Sequence, residues 1–164
     1  MLNRKRAFLV PREMASSAEL SRIVVAFDGS KDAVKAVQLA CSLAAKYDSD
    51  ISVVHVYSPP LIGFSAASGM PVPDYKELED SAKETGQNVL SRGVQLVTAT
   101  GAKARGELLQ SQSVVEALVE YATREKADLI VVGTRGMSGF KKLVLGSVSS
   151  GLVSHSPCPV LVVR

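Results

Sequence analysis

Short apolar runs and helix-period stripes alternate along this chain. Residues 22–27 (RIVVAF), 51–57 (ISVVHVY), 127–132 (ending in Leu129-Ile130-Val131-Val132) and 160–163 (VLVV) are β-branched or leucine-rich. Runs of this length and continuity suit strands covered on both faces of a parallel sheet. Between the first two, Ala33, Val34, Val37, Ala40, Cys41 and Ala44 recur at three- and four-residue steps. They predict a helix that opens on Ser30 as N-cap and ends near Tyr47. A longer stripe of Leu78, Ala82, Thr85, Val89, Gly93, Leu96, Val97 and Thr100 predicts one helix over about 75–100. Residues 94–98 could also be read as strand, but the stripe keeps its phase through them. Gly86 and Gly93 each weaken that helix by about 1 kcal/mol relative to Ala, and Gly101 supplies its stop. Residues 102–109, with alternating charge, read as an edge strand. Ser113 and Glu116 form a capping-box pair. The helix they open runs to about Glu125 and buries Val114, Ala117, Leu118 and Tyr121. Residues 147–154 form a short last helix, broken by Ser156-Pro157-Cys158-Pro159. The order β-α-β-α-β-α-β-α-β predicts an α/β fold with right-handed parallel crossovers and a doubly wound sheet of five strands.

Length and charge narrow this picture. A chain of 164 residues is expected to form one domain with a substantial core. Arg4, Lys5, Arg6, Arg12 and Arg22 against Glu13 and Glu19 account for the whole net charge of +3, which leaves residues 23–164 neutral. Residues 1–20 therefore read as a flexible basic segment ahead of a domain over 21–164. A neutral domain with few aromatics offers no footprint for nucleic acid. No apolar run approaches a membrane span, and Ala7-Phe8-Leu9-Val10 is too short for a secretory core. Cys41 and Cys158 match no metal or redox spacing, and a buried thiol is the expected state of Cys41. Residues 58–73 hold four prolines and small residues, which exclude regular structure. Leu61, Ile62, Phe64 and Met70 give that stretch the makings of a lid, a partner surface or a plain connector.

The chemistry concentrates after the fourth strand. Gly133, Gly136, Gly139 and Gly146 are followed by Ser147, Ser149 and Ser150, with Arg135, Lys141 and Lys142 in the same loop. Glycines let backbone turn and approach a ligand closely. A helix starting at Ser147 offers unpaired N–H groups to an anion. Asp28 stands at the carboxyl end of the first strand, where open α/β sheets bind ligands. It can accept hydrogen bonds from a sugar or base, or it can cap its own turn. His55, a lone histidine in a strand, reads as a hydrogen-bonded core residue rather than a ligand. The Walker A loop, the G-x-G-x-x-G fingerprint, Gly-x-Ser-x-Gly and His-Glu-x-x-His are all absent.

Gly133, two residues, Gly136, nine residues, Gly146 and Ser147 form a G-x2-G-x9-G-[S/T] pattern. It resembles that of nucleotide-binding members of the universal stress protein family, and the likeness covers about residues 21–164. The resemblance implies a Rossmann-like sheet of strand order 3-2-1-4-5, whose switch point sets Asp28 beside Gly133. It also implies roles for individual residues. Ala26, Phe27 and Asp28 lie at adenine and ribose, Val56 packs near the adenine, and Val132 borders the base. Gly133 and Gly136 let the backbone pass ribose and phosphates. Gly146, Ser147, Val148 and Ser149 meet the β- and γ-phosphates through N–H and hydroxyl groups. The implied ligand is ATP, with AMP or ADP as alternatives, and Mg2+ accompanies a triphosphate. The expected protein is a cytoplasmic, ATP-binding regulator of stress physiology, homodimeric through residues 160–163, with no nucleic-acid or membrane partner. A slow ATP hydrolase and a nucleotide-free interaction module are the competing readings.

Overall fold

The computed structural model describes residues 20–59, 75–134, 136 and 145–164. The basic segment 1–19, most of the 58–73 stretch, and Arg135, Gly139, Lys141 and Lys142 lie outside the described residues.

Nine elements alternate along the chain: β1 (Arg22–Ala26), α1 (Lys31–Tyr47), β2 (Asp50–Tyr57), α2 (Tyr75–Thr98), β3 (Ala104–Gln110), α3 (Val114–Arg124), β4 (Leu129–Gly133), α4 (Ser147–His155) and β5 (Val160–Val163). All strand pairs are parallel, and the sheet order is β3-β2-β1-β4-β5. The expected fold class and order are thus observed. β1 is central, and its alternate residues feed two cores. Ile23 and Val25 pack with α1 and α2 on one face, while Val24 and Ala26 pack with α3 and α4 on the other. That double coverage is why β1 and β4 read as unbroken apolar runs.

Local chemistry sets the helix ends. The Ser30 hydroxyl accepts the Ala33 N–H at 3.1 Å, and Asp48, in the left-handed region at φ 56°, closes α1. Ala36 is buried with the expected stripe, whereas Val34 stands at its margin. Ser113 caps α3 by accepting the Glu116 N–H at 3.3 Å. The reciprocal half of the box goes elsewhere, because the Ser113 N–H is donated to the Ser111 hydroxyl at 3.1 Å.

The long helix follows its expected stripe in part, with Gly93 and Val97 buried and Val89 and Leu96 packed against the core. α2 buries Gly86, Leu90, Gly93 and Val97, and Leu78 is exposed. A Cβ at Gly93 would lie 2.7 Å from the Phe27 ring and 2.8 Å from Val53. The glycines form the contact face, which lets α2 lie close on β1 and β2. Gly101, at φ 82°, turns the chain out of the helix toward β3. That strand begins at Ala104, opposite Ile51, two residues later than the sequence pattern indicates.

Candidate functional site

The carboxyl ends of β1, β2 and β4 open onto one cleft of about 320 Å³. It lies where the sheet order reverses on either side of β1, the position at which open α/β sheets take ligands. Every residue assigned from the sequence lines it: Ala26, Phe27 and Asp28 after β1; Val56 on β2; Val132, Gly133 and Gly136 on and after β4; and Gly146, Ser147, Val148 and Ser149 at the start of α4. Ala33, Val54, His55, Val114, Leu118 and Thr134 complete the lining.

One end of the cleft is apolar. Ala26, Val54 and Val132 are buried in the core beneath it, and Val114 and Leu118 of α3 form a wall. The Phe27 side chain turns away into the opposite core and is 2 % exposed. Its contribution to the cleft is therefore mainly backbone. The sequence pattern marks Val114 and Leu118 as core. Nothing in it shows that the same side chains also face a ligand space.

The other end is built around the start of α4. Gly146 is the N-cap and makes no side-chain capping bond. The first backbone bond of the helix runs from the Ser150 N–H to the Gly146 carbonyl at 3.0 Å. The N–H groups of Ser147, Val148 and Ser149 thus precede the ladder, and together with the helix dipole they favour an anion. Ser147 is exposed. Ser149 is 1 % exposed, and its hydroxyl faces the carbonyls of Thr134 (3.2 Å) and Gly146 (3.0 Å). Its hydroxyl proton is committed to the protein, so a phosphate contact from Ser149 would come through its N–H.

Thr134 is the residue that the motif does not announce. It is buried, and its hydroxyl donates to Asp32 at 2.7 Å. Its N–H donates to the Val163 carbonyl at 2.7 Å, and its carbonyl accepts the Gly146 N–H at 2.7 Å. One residue thus joins the ends of β4 and β5 to the first turns of α1 and α4.

The glycines have distinct reasons. A Cβ at Gly133 would lie 2.9 Å from the Asp32 carbonyl carbon, so this glycine lets the end of β4 meet the start of α1. A Cβ at Gly136 would lie 2.7 Å from the Asp28 carboxylate. The other Asp28 oxygen accepts the Ser30 N–H at 2.9 Å, which gives the turn-capping role alongside a place on the cleft wall. Among the described residues no group of three or more His, Cys, Asp or Glu side chains gathers as a metal site, and no helix is long and apolar enough to cross a membrane. The cleft as built suits a ligand with a flat apolar part and an anionic part.

Comparisons with known proteins agree with the architecture. Residues 19–164 match the model of the universal stress protein family. Universal stress protein MJ0531 of Methanocaldococcus jannaschii is 32% identical over 144 residues, 87% of this chain and 81% of that protein. The structure of universal stress protein UspA from Lactobacillus plantarum has a TM-score of 0.76 at 25% identity, covering 89% of this chain and 99% of that one. A universal stress protein solved in complex with cAMP has a TM-score of 0.66 at 28% identity, covering 89% of this chain and 98% of that one. The chain belongs to the universal stress protein family.

Proposed function

We propose that the cleft binds an adenine nucleotide and that ATP is its principal ligand, with AMP and ADP as weaker occupants. One observation carries this reading. Residues from separate segments, 26–28, 56, 132–134 with Gly136, and 146–149, meet in a single cleft with an apolar slot at one end and an uncapped helix start at the other. The slot suits a purine ring, and the N–H groups of Ser147, Val148 and Ser149 suit phosphate oxygens. The related protein solved with cAMP supports the adenine assignment. Mg2+ fits as a partner of the triphosphate, held by phosphate oxygens and water rather than by a carboxylate cage.

The protein acts as a cytoplasmic regulator of stress physiology rather than as a dedicated enzyme. Hydrolysis needs a group that orients the attacking water; among the described residues lining the cleft the one carboxylate is Asp28, and one of its oxygens already accepts the Ser30 N–H at 2.9 Å. Assembly is through β5. Its residues are all partly exposed, and among the described residues β5 pairs with β4 alone, which leaves its outer edge for a second copy.

The test is to denature freshly purified protein, identify released nucleotide by mass spectrometry, and titrate stripped protein with Mg-ATP, ADP and AMP. Saturable binding of one ATP per chain is expected. Copurified ADP with steady phosphate release would favour the slow hydrolase. Absence of copurified nucleotide together with no saturable binding would leave the interaction module.

A further inference from the structure

β2 outruns β1. Their pairing ends at Ala26 with Val54, while β2 continues to Tyr57. Alternate peptides of β2 face opposite neighbours. The Val54 carbonyl accepts the Phe27 N–H at 2.9 Å on the β1 side, and the Tyr57 carbonyl accepts the Ser111 N–H at 3.1 Å on the β3 side. Val56 shares the direction of Val54, so its N–H and C=O face the β1 side, where the cleft begins. In a continuing parallel ladder the Val56 N–H would donate to the Phe27 carbonyl. Instead the His55 ring takes that carbonyl, with Nδ1 at 2.8 Å. Among the described residues no backbone hydrogen bond joins Val56 to Phe27 or to the turn behind it. A carbonyl only accepts, so Nδ1 carries the proton, and the ring is held by α2, its Cδ2 lying 3.3 Å from the place of a Cβ on Gly86.

Building on the adenine-nucleotide reading, we propose that His55 is a positioning residue that sets base specificity. By donating to the Phe27 carbonyl it ends the β1–β2 ladder early. The Val56 N–H and C=O are left as an adjacent donor and acceptor at the apolar end of the cleft. That pair complements a 6-aminopurine, whose amino group donates beside an accepting ring nitrogen. Hypoxanthine replaces the amino donor with a carbonyl and leaves the Val56 carbonyl unpaired. A site built on such bonds rejects the mismatched analogue strongly.

The experiment measures dissociation constants for ATP and ITP, by calorimetry, for the wild type, His55→Leu, His55→Asn and His55→Gln. The wild type should prefer ATP. His55→Leu should lower the ATP:ITP preference by about tenfold or more, since hydrogen-bond readout supplies discrimination of that order or larger. His55→Asn, whose amide reaches the place of Nδ1, should restore most of it. An unchanged ratio in a folded His55→Leu would reduce His55 to a packing residue and overturn the inference. Should His55→Leu not fold, the other pair decides. Asn must keep the ratio and Gln, whose amide reaches the place of Nε2, must lose it, and equal ratios overturn the inference. Failure of the wild type to bind either nucleotide would overturn the adenine reading itself, before any variant is compared.

Discussion

At the scale of single residues, Thr134 and Gly136 hold the site in different ways. Thr134 ties the ends of β4 and β5 to the starts of α1 and α4 through its hydroxyl and both backbone groups. Thr134→Val keeps the shape and the backbone bonds but leaves Asp32 without its hydroxyl. Chemical denaturation should show a loss of about 1.5–3 kcal/mol, the range for one bond to a charged group. Gly136→Val acts at the ligand instead. Its side chain would take the space of the Asp28 carboxylate, so ATP affinity should fall about tenfold or more while the unfolding midpoint barely moves. A parallel fall in both quantities would make Gly136 a structural glycine only. The glycine pattern was legible in the sequence because its spacing is long and specific. Thr134 was not, because two of its bonds, to Val163 and Gly146, are backbone bonds that any residue type can make, and the third joins its hydroxyl to Asp32, distant in sequence. Ser149 was legible as a member of the site, but whether a hydroxyl faces a ligand or a carbonyl depends on the turn of the backbone around it.

At the scale of elements, α2 shows how packing overrides propensity. Intrinsic preference predicts that Gly93→Ala stabilises an exposed helix by about 1 kcal/mol. Here the added methyl would meet buried Phe27 and Val53 at 2.7 and 2.8 Å. The variant should instead be less stable by about 1–3 kcal/mol, the usual cost of overpacking. A raised thermal midpoint would contradict the account of the α2 contact face. Helix existence was readable from periodicity throughout, because α1 and α3 place alanine, valine and leucine on one face. The face of α2 was legible in part: Val89, Gly93, Leu96 and Val97 of the stripe lie on the core side, whereas Leu78 is exposed and the buried Gly86 and Leu90 fall outside the stripe. The start of β3 was displaced because an edge strand exposed on one side has only weak alternation, with Arg105 and Gly106 both exposed.

At the scale of the whole molecule, the sheet order brings the β1 turn, the end of β2 and the start of α4 to one crevice. Alternation of elements implied the parallel sheet, but only the family likeness implied which strands adjoin. The same order leaves β5 at an edge. Pro159 and Val163 direct their carbonyls to β4, so Val160 and Val162 direct their peptides outward. Val162→Pro removes an outward N–H while sparing the β4 ladder. If assembly runs through this edge as proposed, sedimentation should show the wild type as a dimer and this variant as a monomer; a variant that stays dimeric would move the interface off this edge. The proposed function rests on the crevice, and its most direct test is an amide-resolved NMR titration with Mg-ATP. The account predicts saturable shifts at Val56 and at Ser147, Val148 and Ser149, with Arg22 and Asp50 at the opposite end of the sheet unmoved. Saturable shifts confined to other surfaces, or none at all, would contradict a nucleotide held between the end of β2 and the first turn of α4.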